Sequence, residues 1–177
     1  VAIGERGLDY YYEPKSKEKR QVERLKQKST LAQQVKLAYE LDLPTIFHCR
    51  KAHEDLLEFL KPHQGKIRGV IHCYTGDLKQ AEQFYNLGFS FGFNGLILKD
   101  VPALPNPKEI IGALPLERIV LETDSPYLVP SEVKAERNEP LFIQYIAEEI
   151  ARIKGISPEE VAFVTTKNAK SLFSIPT

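Results

Sequence analysis

Four short apolar runs in this chain each end on a residue able to bind a metal. They are V-A-I-G before Glu5, P-T-I-F before His48, R-G-V-I before His72 and R-I-V-L-E-T before Asp124. Helix-like stretches separate them. Strand–helix alternation of this kind folds into a parallel α/β sheet, and such folds place their active sites at the carboxyl ends of the strands. One donor at each of several strand ends is how that architecture assembles a metal site. A lone histidine on an apolar run reads as a satisfied core residue. Four acidic or imidazole residues at equivalent positions do not, because buried charge is costly unless it is paired or metal-bound.

The chain is long enough, at 177 residues, for one domain over residues 1–177 with a substantial core. Lys and Arg number 24, as do Asp and Glu, so the net charge is zero. A nucleic-acid partner therefore cannot be argued from bulk charge, and any phosphate contact is local. No apolar run approaches the roughly 18 residues of a membrane span and no secretory leader is visible at the start, so the chain reads as cytoplasmic. Cys49 and Cys73 each directly follow a donor histidine. Strand neighbours face opposite sides, which predicts both thiols under the helix layer, reduced and buried. The absence of methionine and the opening of Val1 inside a strand pattern point to missing N-terminal sequence.

Five strands are predicted, over residues 1–5, Pro44–Cys49, Gly69–Cys73, Phe89–Asn94 and Arg118–Thr123. Helices are predicted over Ser16–Glu40, Ala52–Leu60, the stretch from the Asp77 cap to Leu87, Lys108–Ala113, Leu141–Lys154 and Ser157–Phe173. Val22, Leu25, Ala32, Val35 and Ala38 recur at helical spacing in the first. Asp77 reads as an N-cap, Gly88 and Gly155 as helix stops, and Ser157-Pro158-Glu159-Glu160 as a capped helix start. Five parallel βα units exceed half of an eight-stranded barrel but cannot close one. Either the sheet is open, or the first three units are absent from this chain.

Mixed carboxylate and imidazole ligation suits Zn, Mn, Fe or Mg. Glu5 is the best candidate to bridge two ions, with His48 and His72 joining it around one. Asp124 is left to bind the other ion or to activate water. Paired metals about 3.5–4 Å apart stabilise the attacking and leaving oxygens of phosphoryl hydrolysis.

Longer motifs surround these donors: G-E-R-G-L-D at Gly4–Asp9, I-F-H-C-R at Ile46–Arg50, G-V-I-H-C-Y-T-G at Gly69–Gly76 and L-E-T-D-S-P-Y-L at Leu121–Leu128. R-N-E-P at Arg137–Pro140 and T-T-K-N-A-K-S-L-F at Thr165–Phe173 follow. In order, spacing and extent the series resembles the TatD-type metal-dependent deoxyribonucleases. The resemblance implies a TIM-like (β/α)8 barrel of the metal-dependent hydrolase type, represented by about five C-terminal βα units with the N-terminal units missing. It implies two divalent ions, Mg, Mn or Zn, and a DNA substrate. Glu5 and Asp124 become catalytic, and Glu5, His48, His72 and Asp124 become metal ligands. It further implies a missing segment or a second chain to complete the barrel. The family's N-terminal His-x-His motif is not among these residues. Two alternatives stand beside the deoxyribonuclease reading: an amidohydrolase-type enzyme acting on another ester or phosphate, and a truncated, catalytically silent module.

The remaining candidates each carry two readings. Arg50 and Lys51 either hold a substrate phosphate or form a solvated helix start. Glu122 shares a strand face with Asp124 and either orients a ligand imidazole or is a paired structural charge. Tyr10, Tyr11 and Tyr12 either pack their loop onto the rim or stack on bases of a single strand, Tyr11 foremost. The Lys15–Lys28 charge run reads as a solvated helix face. His53 and His63 lie away from strand ends and are assigned no role.

Overall fold

A computed structural model describes residues 1–176. Five strands alternate with six helices: β1 (Ile3–Asp9), α1 (Lys17–Glu40), β2 (Thr45–Arg50), α2 (His53–Leu60), β3 (Gly69–His72), α3 (Leu78–Asn86), β4 (Ser90–Phe93), α4 (Pro107–Ala113), β5 (Ile119–Leu121), α5 (Ile143–Lys154) and α6 (Pro158–Phe173). The strands lie in one sheet in the order β1-β2-β3-β4-β5, and every neighbouring pair is parallel. Parallel neighbours that follow each other in the chain need a crossover, and crossovers of one hand put their helices on one face.

That face is the core. Leu8, Phe47, Cys49, Ile71, Phe91, Phe93 and Ile119 project into it and meet Leu31, Val35, Leu56, Phe84, Ile111 and Ile146 from the helices, in one continuous apolar cluster. Tyr74 sits among Phe84, Phe91 and Phe93 with edge-on rings. Along β2 the alternate residues Ile46, His48 and Arg50 face the other way and are only half-buried. The description of the chain as a barrel short of its first units is therefore corrected. Five strands and six helices form one sheet and one helix layer around a single core.

Several expectations from sequence need adjusting. β1 runs four residues further than predicted, to Asp9. It does so because Gly7 lets the backbones of β1 and β2 close up: a Cβ there would fall 1.7 Å from the carbonyl oxygen of His48. Its register slips by one residue between Ile3 and Arg6. This irregularity surrounds Glu5 and, like a bulge, re-aims the side chain. In α1, Leu31, Val35 and Ala38 are buried, whereas Val22 and Leu25 are 66% and 60% exposed. The helix meets the core with its second half only, so apolar spacing in its first half marks no packing face. Cys49 is buried in the core as predicted, but Cys73 is only partly buried. β3 ends at His72 and Cys73 turns into the left-handed region at φ 45°, so strand alternation no longer governs its direction. The caps at Ser16, Asp77 and Ser157 are all made by side chains, that of Asp77 as a full capping box with Gln80.

Candidate metal centre

The sheet register brings the donors level. His48 pairs directly with His72, and Gly7 with His48, with Asp9 opposite Arg50. Glu5, Gly7 and Asp9 thus share the open face with His48 and Arg50. At the ends of β2, β3 and β5, Lys51, Cys73 and Asp124 take positive φ values of 57°, 45° and 60°. None is glycine, and left-handed non-glycine residues cluster at functional sites.

Glu5, His48 and His72 each offer a donor atom within 4.8 Å of the others'. The ring Nδ1 of His48 lies 2.8 Å from Glu5 Oε1. His72 Nε2 lies 3.7 Å from the same oxygen and 3.3 Å from Asp124 Oδ1. Asp124 is outside the mutually close trio and reaches it through His72. Behind His72, Nδ1 meets Glu122 Oε2 at 2.6 Å. The other Glu122 oxygen accepts from the Cys73 amide at 2.6 Å and from Asn94 Nδ2 at 3.4 Å. Gly92 makes room for that carboxylate, since a Cβ there would meet it at 2.5 Å. Behind His48, Nε2 is buried with no hydrogen-bond partner, and the nearest carboxylate oxygen recorded is Asp9 Oδ2 at 3.4 Å.

These contacts set the charge states. The His48 hydrogen bond, against some burial and with the positive charges of His72 and His48, holds the Glu5 carboxyl below its ordinary range. Burial disfavours charged His72, but the Glu122 hydrogen bond and the charges of Glu122, Glu5 and Asp124 outweigh it, raising its pKa to about 9. Burial pushes the Cys49 and Cys73 thiols up to about 12, so neither is a thiolate donor near neutrality.

One carboxylate and two imidazoles converging on one point fit a divalent ion of the Zn, Mn or Mg type. Bonds of about 2.0–2.2 Å need only a small inward adjustment of a trio spread over 4.8 Å. The orphaned Nε2 of His48 lies on the far side of the ring from this point, toward Asp9. Among the described residues this is the single group of three such donors. For the second ion implied by the family resemblance there is no comparable group among the described residues.

The other candidates separate cleanly. Tyr10 is buried and donates to Asp55 at 2.6 Å, so it packs the loop. Tyr11 and Tyr12 are 51% and 81% exposed and meet edge-on at 4.7 Å. The Arg50 guanidinium lies 4.6 Å and 5.1 Å from their ring centres, and Lys51 Nζ 4.9 Å from that of Tyr11. Arg50 is not a free cation: Nε and Nη2 are both engaged by Asp9. His53 is buried against Tyr74, away from the centre. A cavity of about 590 Å³ opens beyond the carboxyl ends of β3 and β4. Cys73 and Asn94 line it, but none of the four expected ligands does.

Three contributors escaped the sequence reading. Asp9 lies in G-E-R-G-L-D, four residues and so one strand face from Glu5, but beyond the strand predicted over residues 1–5. Asn138, in R-N-E-P, donates to the carbonyls of Thr123 at 2.6 Å and Leu128 at 3.2 Å and so pins the loop bearing Asp124. Asn168, in the last motif, donates to Leu116 and Ile119 at 2.8 Å and 2.7 Å and pins the start of β5. Both asparagines sit in motifs of the series, but an asparagine's tertiary partner leaves no local trace.

Metal-dependent hydrolases are among the proteins that this chain resembles. An uncharacterized metal-dependent hydrolase, YabD of Bacillus subtilis, is 38% identical over 99% of this chain and 66% of its own length. A protein named 3'-5' ssDNA/RNA exonuclease TatD, from a Rahnella species, is 36% identical over 99% of this chain and 65% of its own. The crystal structure of YJJV, a TatD homolog from Escherichia coli K12, superposes with a TM-score of 0.85 at 31% identity, covering 99% of this chain and 64% of that one. The chain thus spans just under two thirds of the length of the curated relatives it matches. These matches overturn the reading of the fold as a barrel defined by absent N-terminal units: the TatD TIM-barrel-type fold accounts for the chain along its length, and nothing in the matches supports a second chain completing it. The family model described as TatD related DNase matches residues 1–174, and the chain belongs to that family.

Proposed function

We propose that this chain carries the hydrolytic centre of a metal-dependent nuclease that cleaves phosphodiester bonds of single-stranded nucleic acid, DNA foremost. The observation that carries the reading is the convergence of Glu5, His48 and His72 within 4.8 Å, with Asp124 3.3 Å from His72. The relatives named as metal-dependent hydrolases and as an ssDNA/RNA exonuclease support the metal and the substrate class. Glu5, His48 and His72 would hold a divalent ion, which when bound acidifies a water and neutralises charge on the scissile phosphate. Asp124, with Oδ1 3.3 Å from His72 Nε2, would hold the attacking water and take its proton at that oxygen. Glu122 fixes the His72 ring, so that Nε2 faces the centre. Tyr11 and Tyr12 present two exposed rings for bases to stack on. Lys51 and the free edge of the Arg50 guanidinium lie beside them for the strand's phosphates.

The test is cleavage of a labelled single-stranded oligonucleotide with added Mg or Mn. Asp124→Asn keeps the shape of the side chain and loses the proton acceptor. Its rate should fall by about 10²–10⁴-fold, with an unchanged circular dichroism spectrum. Cutting at the parent rate would defeat the mechanism. A parent inert on DNA and RNA that hydrolyses small phosphoesters would redirect the substrate assignment to an amidohydrolase-type reaction.

A further inference from the structure

Each histidine of the centre has a carboxylate on its far side, but only one of the two makes the hydrogen bond. His72 turns Nε2 inward and gives Nδ1 to Glu122 at 2.6 Å. His48 turns Nδ1 toward Glu5 at 2.8 Å and leaves Nε2 buried, unpartnered and 3.4 Å from Asp9 Oδ2. A carboxylate behind a ligand imidazole fixes the ring and raises its basicity. Glu122 is in hydrogen-bond contact with its ring. Asp9 stands off at 3.4 Å, where Glu122 closes to 2.6 Å.

Asp9 is itself tightly held. Gln27 grips both of its backbone groups, accepting from the amide at 2.9 Å and donating to the carbonyl at 3.1 Å. Its carboxylate accepts from the Tyr11 amide at 2.9 Å and from Arg50 Nε at 3.1 Å and Nη2 at 2.5 Å. Oδ2, the oxygen nearest His48, is the one Arg50 Nη2 holds. The same guanidinium lies against Tyr11 and Tyr12. One carboxylate therefore stands between a metal-ligand candidate and an exposed aromatic platform.

We infer that Asp9 is a positioning residue that orients His48 and couples it to the Arg50–Tyr11–Tyr12 platform, so that strand binding and cation binding strengthen each other. The inference rests on the reading of the cluster as a metal centre. A phosphate that draws on Arg50 loosens its hold on Oδ2. The carboxylate then moves onto His48 Nε2–H and makes the bond that Glu122 already makes to His72. Coupling between two equilibria is reciprocal: whatever factor the strand adds to cation affinity, the cation adds to strand affinity.

The experiment is a Mn²⁺ titration of the full chain, with and without a phosphorothioate single-stranded oligonucleotide that is not cut. In the parent, the oligonucleotide should tighten Mn²⁺ binding by about fivefold or more. Asp9→Asn should weaken Mn²⁺ binding alone by about tenfold or more and abolish the coupling, at an unchanged circular dichroism spectrum. If Asp9→Asn does not fold, Arg50→Lys decides: it leaves the carboxylate but loses the fork, so at oligonucleotide concentrations that saturate the variant the coupling should disappear. An Asp9→Asn chain with parental Mn²⁺ affinity and coupling, or an Arg50→Lys chain with undiminished coupling, overturns the inference. A parent that binds no Mn²⁺ removes the metal reading itself. A parent that binds Mn²⁺ but not the oligonucleotide overturns the coupling and the nucleic-acid reading together, while Asp9→Asn against Mn²⁺ alone still judges the orienting role.

Discussion

Glu122 receives three donors at once: the His72 ring, the Cys73 amide and the Asn94 side chain. It was legible in the sequence as a carboxylate on the Asp124 face, but its competing reading as a structural charge was not resolvable without knowing that β3 ends in a left-handed turn beneath it. Glu122→Gln keeps an acceptor for Cys73 and loses the charge behind His72. Divalent metal affinity should fall by about 10–100-fold, measured calorimetrically with Mn²⁺, while thermal stability of the metal-free protein changes little by comparison. His53 illustrates the opposite case, a titratable group with no catalytic post. It is 8% exposed and its Nε2 has no partner. Burial, only partly opposed by Asp77, lowers its pKa to about 4. The unfolded chain takes up this proton near pH 6.5, while the folded protein resists until about pH 4. The neutral ring's contribution is thus complete above pH 6.5 and is lost as the pH falls toward 4. Denaturant unfolding at pH 7 and pH 5 should show about 2 kcal/mol less stability at the lower pH from this group. His53→Phe should lack that step.

Each end of β5 is closed by an asparagine from a distant segment: Asn168 of α6 at Leu116 and Ile119, and Asn138 at Thr123 beyond the last residue of the strand. A strand of three residues has too little ladder to fix its own position, and these clamps set where Asp124 emerges. Asn168→Ala removes a donor from two carbonyls, of which that of Leu116 keeps the Ile119 amide, and should cost about 1–3 kcal/mol, read as a lowered urea midpoint at unchanged slope. Features that depend on neighbours in sequence were legible at this scale. Asp77 and Ser157 cap their helices as read, because a cap needs only a side chain and an amide two or three positions on. Features that depend on partners across the fold were not. The clamps of Asn138 and Asn168, the exposure of Val22 and Leu25, and the reach of β1 to Asp9 follow from what packs against them. The strand-end donors belong to the first class because one rule of α/β architecture places them all on one rim.

At the scale of the whole molecule, charge and sheet order matter most. With 24 cations and 24 anions there is no bulk field to draw a polyanion in, and strand binding must rest on a few contacts. If Arg50 and Lys51 are the principal phosphate contacts, the slope of log affinity against log salt for a single-stranded oligonucleotide should be about −1.4. A slope several times steeper would point to a wider basic track than this pair provides. Sheet order has a different consequence. β1 stands at one end of the order and has β2 as its one partner, yet it carries both Glu5 and Asp9. His48 and His72 sit on β2 and β3, which have neighbours on both sides. An outermost strand with an interrupted ladder is the part of a sheet that opens at the lowest free energy. An ion gripped by Glu5, His48 and His72 would staple that strand to two better-anchored ones, and its binding free energy would reappear as resistance to local opening. Amide hydrogens of residues 3–9 would then exchange far more slowly with ion than without, and those of β4 hardly differently. The same cation that performs the chemistry would act as a mechanical clasp on the edge of the sheet that supplies its own ligand.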